Sequence, residues 1–256
     1  MHRKYKQLRE HIGDLGSLLV AFSGGVDSSF LLKTATDVLG AKAMGITVIT
    51  PYIAQYEVDD ALRIASEIGA QHDTLSLPFS EAIRRNPENR CYVCKYGLFS
   101  ELKQYAADRG FAFVAEGSNV DDTHEHRPGR VAIAELGITT PLLAAGLTKT
   151  EIRALSREQN LSTWNKPSYA CLLTRFEHGH EVKADELAMV GAAEKLLIDN
   201  GYGAIRVRFA KRYARLEMPN ADAVRLLSNP ESARLVEQIR GLGFSFVTLD
   251  LQKSTP

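Results

Sequence analysis

The residues best suited to chemistry begin with Ser23-Gly24-Gly25-Val26-Asp27-Ser28, placed directly after the apolar run Leu18-Leu19-Val20-Ala21-Phe22. A buried strand that runs into two glycines and then a helix lets the backbone approach a ligand closely. The unpaired N–H groups at the helix start favour bound anions. The pattern is that of a pyrophosphate cradle. It is not a Walker A loop, because no Gly-Lys-Ser/Thr follows the glycines. Paired glycines also serve ordinary strand–helix turns. The full six-residue run at the first strand–helix junction favours the cradle.

The second set is the cysteines. There are three, Cys91, Cys94 and Cys171. Arg90-Cys91-Tyr92-Val93-Cys94-Lys95 places two thiols close together, just before a helix expected from residue 95. Cys171 lies far away in Lys166-Pro167-Ser168-Tyr169-Ala170-Cys171. A thioredoxin-like redox pair would stand beside a first strand, which this pair does not. A structural zinc site would want a second Cys-x-x-Cys, although histidines can complete one. A structural disulfide is disfavoured in a reducing compartment. The fourth reading is an iron–sulfur cluster on three thiolates with one iron open. A single cysteine by itself would be a small buried hydrophobe.

A third constellation, Glu116-Gly117-Ser118-Asn119-Val120-Asp121-Asp122, ends a later strand. Gly117 followed by short polar side chains such as Asn119 makes a loop that can approach a nucleotide. The paired carboxylates Asp121 and Asp122 can hold magnesium. This is also common loop composition, and its weight comes from landing on the same sheet edge as the first motif. Arg127-Pro128-Gly129 continues the loop.

Elements must bring these residues together. Strands are expected over 18–22, 43–50, 72–77 and 111–116, and helices over 28–39, 56–68, 95–108 and 148–159. The start Thr148-Lys149-Thr150-Glu151 has capping-box spacing. Alternating strands and helices argue for an α/β fold with a parallel sheet covered on both faces, whose ligands bind beyond the carboxyl ends of the strands. The rhythm changes near residue 180. A helix over 185–200, strands over 204–209 and 213–218, helices over 221–227 and 231–240 and a last strand over 244–249 suggest a small α+β domain with an antiparallel pair. The expected division is 1–178 and 179–256, the second part a substrate platform or an oligomerisation unit.

Composition sets bounds on the function. Lys+Arg and Asp+Glu balance at 31 each over 256 residues, so no global pull toward nucleic acid is expected. No stretch approaches the length of a membrane span and no apolar signal region follows the N-terminus, so a cytoplasmic protein is expected.

The first motif resembles the PP-loop of enzymes that split ATP between its α- and β-phosphates to adenylate a substrate. The resemblance implies that Ser23, Gly24, Gly25, Val26 and Ser28 hold pyrophosphate and that Asp27 helps position magnesium. The wider set of motifs, with Gly146-Leu147-Thr148-Lys149 and Lys166-Pro167-Ser168-Tyr169-Ala170-Cys171, resembles the LarE family over nearly the whole chain. Those proteins are PP-loop sulfur transferases of nickel-pincer nucleotide biosynthesis. The family implies adenylation of a pyridinium biscarboxylate mononucleotide by ATP, then displacement of AMP by sulfur to leave a thiocarboxylate, with oligomers usual. It also implies that Arg206 and Arg208, alternating onto one strand face, take the substrate phosphate, and that Glu194 sits in the same substrate or metal region. A solvated sheet face is the plain alternative for the arginines. Some members sacrifice the sulfur of a cysteine at the position of Cys171. This chain also carries Cys91 and Cys94, and so looks like the branch in which three cysteines hold a 4Fe–4S cluster.

Rival functions fit less of the sequence. A PP-loop tRNA thiolase can pair the same loop with three cysteines, but the neutral charge and the Lys-Pro-Ser-x-Ala-Cys run argue against it. An ammonia-using synthetase of the GMP or NAD kind leaves the cysteines idle. A nucleotide-binding sensor explains the sheet and loop but not the cysteines.

Overall fold

The computed structural model describes residues 1–123, 128–168 and 170–251. Arg127 and Tyr169, both within motifs noted above, lie outside the described residues. The chain divides into two compact units. Unit 1 comprises Met1–Thr50, Glu57–Ala82 and Glu88–Tyr169, and unit 2 comprises Pro51–Tyr56, Ile83–Pro87 and Ala170–Pro256.

Unit 1 begins with helix α1 (His2–Leu15) and then alternates strand and helix. In order come β1 (Leu18–Ala21), α2 (Val26–Leu39), β2 (Ala43–Ile49), α3 (Gln55–Ile68), β3 (Gln71–Ser76), α4 (Arg90–Asp108) and β4 (Phe113–Ala115). The strands form one parallel sheet in the order β3-β2-β1-β4. Strand side chains alternate between faces. Leu18 and Val20 of β1 accordingly pack into a core with Leu8, Ile12, Phe30 and Leu31. Leu19 joins a second core with Ile46, Phe99 and Leu102. The sheet is therefore covered on both faces, as a buried parallel sheet requires.

Two short helices, α5 (Gly129–Glu135) and α6 (Pro141–Ala144), precede α7 (Lys149–Glu158). The capping box of α7 is present. The Glu151 N–H donates to Thr148 Oγ1 at 3.3 Å, and the Thr148 N–H donates to Glu151 Oε2 at 3.0 Å. Lys4 of α1 donates to the same Glu151 at 2.7 Å, fastening α1 to the start of α7. Lys4 foremost, followed by the Thr148 N–H, lowers the Glu151 carboxyl to about 2.

The structure corrects one boundary. Helix α4 begins at Arg90, not near residue 95, so Cys91 and Cys94 belong to its first turns and do not precede it. Pro87 cannot continue a helix backwards, Asn89 is the N-cap, and the helix takes up immediately after.

Unit 2 contains α8 (Ala184–Asp199), β5 (Arg206–Ala210), β6 (Tyr213–Glu217), α9 (Asn220–Ser228), α10 (Ser232–Gly241) and β7 (Phe246–Leu249). Its sheet has the order β5-β6-β7, with β5 and β6 antiparallel and β6 and β7 parallel. Segments from the first third of the chain are tied into it. The Leu172 N–H donates to Tyr52 O at 2.9 Å and the Val182 N–H to Arg84 O at 2.9 Å. Among the described residues no helix is long and apolar enough to cross a membrane.

Candidate active site

The sheet order places a topological switch between β1 and β4. The chain winds from β1 through β2 to β3 on one side, then returns to β4 on the other. The loops leaving β1 and β4 diverge there, and in such sheets that crevice receives ligands. The loop after β1 is Ser23–Ser28, and the loop after β4 is Gly117–Asp122.

The first loop is shaped by steric demand. Gly24 has φ 65°, and a Cβ on it would lie 2.8 Å from the Ala61 Cα, so only glycine fits. Gly25 is the N-cap of α2 and offers no side-chain cap, leaving the first N–H groups of the helix open to an anion. The two serines brace the turn. Their hydroxyls lie 3.1 Å apart, and the Ser23 N–H donates to Ser28 Oγ at 3.3 Å. The Val26 side chain is in the core, so only its backbone is left for a ligand.

The second loop touches the first. A Cβ on Gly117 would stand 3.1 Å from both Asp27 Cβ and the Ser28 nitrogen, so a side chain here would crowd the start of α2. Within this loop the Asn119 N–H donates to Asp122 Oδ2 at 2.9 Å, and the Asp121 N–H to Asn119 Oδ1 at 2.9 Å. Asn119 and Asp122 are both buried. They give the loop one shape.

Asp27 stands where the two loops meet. Burial pushes its carboxyl above the usual range. Lys149 opposes that shift, while the neighbouring Asp122 adds to it. Lys149 Nζ donates to Asp27 Oδ2, and the Lys149 N–H donates to Asp121 Oδ2 at 2.5 Å. Asp27 Oδ1 is buried and has no hydrogen-bond partner among the described residues. A leftover carboxylate oxygen in a desolvated place suits a hard cation, so the residues fit a magnesium ion brought in with phosphates. Lys166 donates to Gly24 O at 2.8 Å and pairs with Asp60. Lys149 and Lys166 had not been assigned roles from the sequence, although both lie in motifs singled out there.

The thiols divide between the units. Cys91 is exposed and Cys94 half-buried, three apart on α4 and so on one helix face. Cys171, in unit 2, caps a short 3-10 turn, Leu172–Arg175. No disulfide joins the three. Among the described residues no three His, Cys, Asp or Glu side chains are gathered into a metal-binding group. Unit 1 thus carries two of the thiols and unit 2 one. Neither unit by itself fits the three-thiolate cluster.

In unit 2, Arg206 and Arg208 share one face of β5 while Val207 and Phe209 are buried on the other. Arg208 donates to Glu217 Oε1 at 2.8 Å and to Thr174 O. Arg206 has no side-chain hydrogen bond or ion pair among the described residues. Burial first, then its neighbours Arg175 and Arg208, push its guanidinium below the usual range. Its neighbours Arg175 and Arg208 are each paired with a carboxylate, Glu194 and Glu217. Glu194 does not face solvent. It is 0% exposed, pairs with Arg175 at 2.7 and 3.0 Å, and accepts from the Tyr56 hydroxyl at 3.1 Å and the Val207 N–H at 2.8 Å.

The parallel sheet, the glycine turn at its switch point and the half-buried Asp27 carboxylate mark an α/β protein of the PP-loop ATP pyrophosphatase type. No protein-family model matches the chain. It is 37% identical over 241 residues, 93% of its length and 87% of the relative's, to the pyridinium-3,5-bisthiocarboxylic acid mononucleotide synthase of Lactiplantibacillus plantarum. It therefore belongs to the LarE family of ATP-dependent sulfur transferases. An uncharacterized Synechocystis protein is 37% identical over 254 residues, covering 98% of this chain and 95% of that one. The tRNA-specific 2-thiouridylase MnmA of Desulforamulus reducens is more distant, 27% identical over 193 residues, 59% of this chain and 52% of that one.

Proposed function

We propose that this protein uses ATP to adenylate the carboxylates of a pyridinium biscarboxylate mononucleotide and converts them to thiocarboxylates. The observation that carries the reading is the uncapped start of α2 beside Asp27, whose buried Oδ1 lacks a partner among the described residues. A carboxylate is a poor acyl donor until one oxygen becomes a good leaving group. Its oxygen attacks the α-phosphorus, the bond to the bridging oxygen of the β-phosphate breaks, and pyrophosphate departs. Sulfur then attacks the carbonyl carbon and expels AMP, and a second round treats the other carboxylate.

Each residue has a part in this scheme. Ser23, Gly24, Gly25, Val26 and Ser28 cradle the pyrophosphate through backbone N–H groups and hydroxyls. Lys149 and Lys166 add positive charge where the leaving group becomes more anionic. Gly117, Asn119 and Asp122 form the neighbouring wall of the nucleotide site. Magnesium, held by Asp27, would neutralise charge on the phosphates. Arg206 and Arg208 take the substrate phosphate, and Glu194 acts one layer behind them, holding Arg175 and the backbone of β5. Cys171 is the thiol at the reacting centre. Cys91 and Cys94 together with Cys171 are proposed as ligands of a 4Fe–4S sulfur carrier, the alternative being sacrifice of the Cys171 sulfur. The same reading expects a cytoplasmic homo-oligomer with no membrane or nucleic-acid partner.

The test is mass spectrometry of the mononucleotide after incubation with ATP, magnesium and anaerobically purified protein. Exchange of carboxylate oxygen for sulfur supports the reading, and an unchanged substrate beside thiolated tRNA would replace it with the tRNA alternative. Iron and acid-labile sulfide content of the same preparation separates the two sulfur sources.

A further inference from the structure

The turn that carries Cys171 is held by a residue outside every motif. Asn86 is 0% exposed and sits at φ 45°, a left-handed backbone that asparagine tolerates better than most residues. Its Nδ2 donates to the carbonyls of Leu173 at 3.2 Å, Phe176 at 3.0 Å and Glu177 at 3.0 Å. All three acceptors lie within six residues of Cys171 on the chain, Leu173 inside its turn and Phe176 and Glu177 directly after it. The backbone of Asn86 joins in, since its carbonyl meets the ring Nδ1 of His178 at 3.0 Å. The other end of the turn closes on Cys171 itself, whose carbonyl accepts from the Thr174 N–H at 3.0 Å and Thr174 Oγ1 at 2.9 Å. Arg175 reaches back to Ala170 O at 3.0 Å.

We infer that Asn86 is a positioning residue for Cys171, its amide fixing the turn so that the thiol is presented in one place to the activated carboxylate. A carboxamide is suited to this, because two N–H groups from one nitrogen can be shared among three carbonyls that a hydroxyl could serve only one at a time. A strained backbone at a fully buried position persists only where its surroundings hold it, and such positions gather at functional sites. Asn86 never touches the substrate in this account. It acts through the turn. The inference rests on the proposed role of Cys171 at the reacting centre.

The experiment compares Asn86→Gly and Asn86→Asp with the unaltered protein. Glycine accepts the positive φ while removing the three hydrogen bonds. Aspartate keeps the volume and tolerates the backbone angle but turns the donor into an acceptor facing three carbonyls. Three quantities are read: ATP–pyrophosphate exchange, thiocarboxylate formation, and the rate at which iodoacetamide alkylates Cys171, followed by peptide mass spectrometry. Both folded variants are expected to keep exchange within about twofold, to lose thiocarboxylate formation by on the order of tenfold, and to alkylate at Cys171 several-fold faster. Folded variants with unchanged transfer and unchanged alkylation would overturn the inference, as would equal loss of exchange and transfer. If glycine prevents folding, the aspartate variant decides by the same outcomes. Failure of both to fold would assign Asn86 to folding alone and overturn the inference too. Absence of exchange and transfer in the unaltered protein would instead break the functional reading, and the alkylation rates would still report on the turn.

Discussion

The two units build their candidate sites in opposite ways. Unit 1 leaves polar groups open: the start of α2 is uncapped and Asp27 Oδ1 has no partner among the described residues. Around Arg175 and Glu194, unit 2 closes them. That pair is 1% and 0% exposed, with the carboxylate further engaged by Tyr56 and the backbone of β5. An open polar group in a desolvated loop is a cost borne for a ligand, whereas a satisfied buried pair fixes a shape. Substitutions should therefore separate activity from stability at Asp27 of unit 1 and couple them at the Arg175–Glu194 pair of unit 2.

The largest effect should come from Glu194→Ala. It strands the buried Arg175 guanidinium and should cost about 3–5 kcal/mol, seen as a lowered midpoint in urea unfolding followed by near-UV circular dichroism. A loss near zero would mean that the pair is not the fixture of unit 2. Next comes Asp27→Asn. Exchange of ATP with pyrophosphate should fall by on the order of 100-fold while the unfolding midpoint holds or rises, because a half-buried carboxylate that desolvation disfavours has been made neutral. Equal loss of stability would erase the contrast between the units. Arg206→Ala sharpens it from the other side. Removing a half-buried cation crowded by Arg175 and Arg208 should leave stability unchanged or improved, and weaken the mononucleotide by on the order of tenfold with ATP little affected. Calorimetric titration of both ligands checks this, and equal weakening of the two would refute it.

The smallest effect concerns acid. The Glu151 carboxyl is lowered to about 2 in the folded protein, chiefly by Lys4. Its contribution is therefore complete above its ordinary value near 4.5 and is lost as pH falls from there toward 2. Lys4→Met should lower the melting temperature slightly at neutral pH and shrink the acid-induced loss, so that the two proteins converge as pH falls toward 2. A pH profile parallel to that of the unaltered protein would contradict the assignment.

What the sequence disclosed follows the same divide. The strand–glycine–helix turn after β1 was legible because it is local: an apolar strand, two glycines and a helix start are contiguous. The capping box of α7 was legible for the same reason. The destinations of Lys149 and Lys166 were not, since Asp27 and Gly24 are reached only through the folded sheet. The start of α4 was misread because Cys91 and its neighbours carry no apolar stripe, and the pair reads as loop chemistry. Helices α5 and α6 are too short for periodicity to register. Asn86 had no signal at all. Its three acceptors lie roughly ninety residues downstream, and an Asn-Pro step in a polar stretch resembles any other turn. Glu194 was associated with the substrate region, yet its burial depends on Arg175 and Tyr56, which no spacing in the sequence connects.

The most direct test of the central claim is ATP–pyrophosphate exchange with the pyridinium biscarboxylate mononucleotide present or withheld, and Asp27→Asn run in parallel. The account predicts exchange that depends on the mononucleotide, forms AMP when sulfur transfer proceeds, and collapses in the variant. Exchange that ignores the mononucleotide, or survives intact in Asp27→Asn, would contradict it.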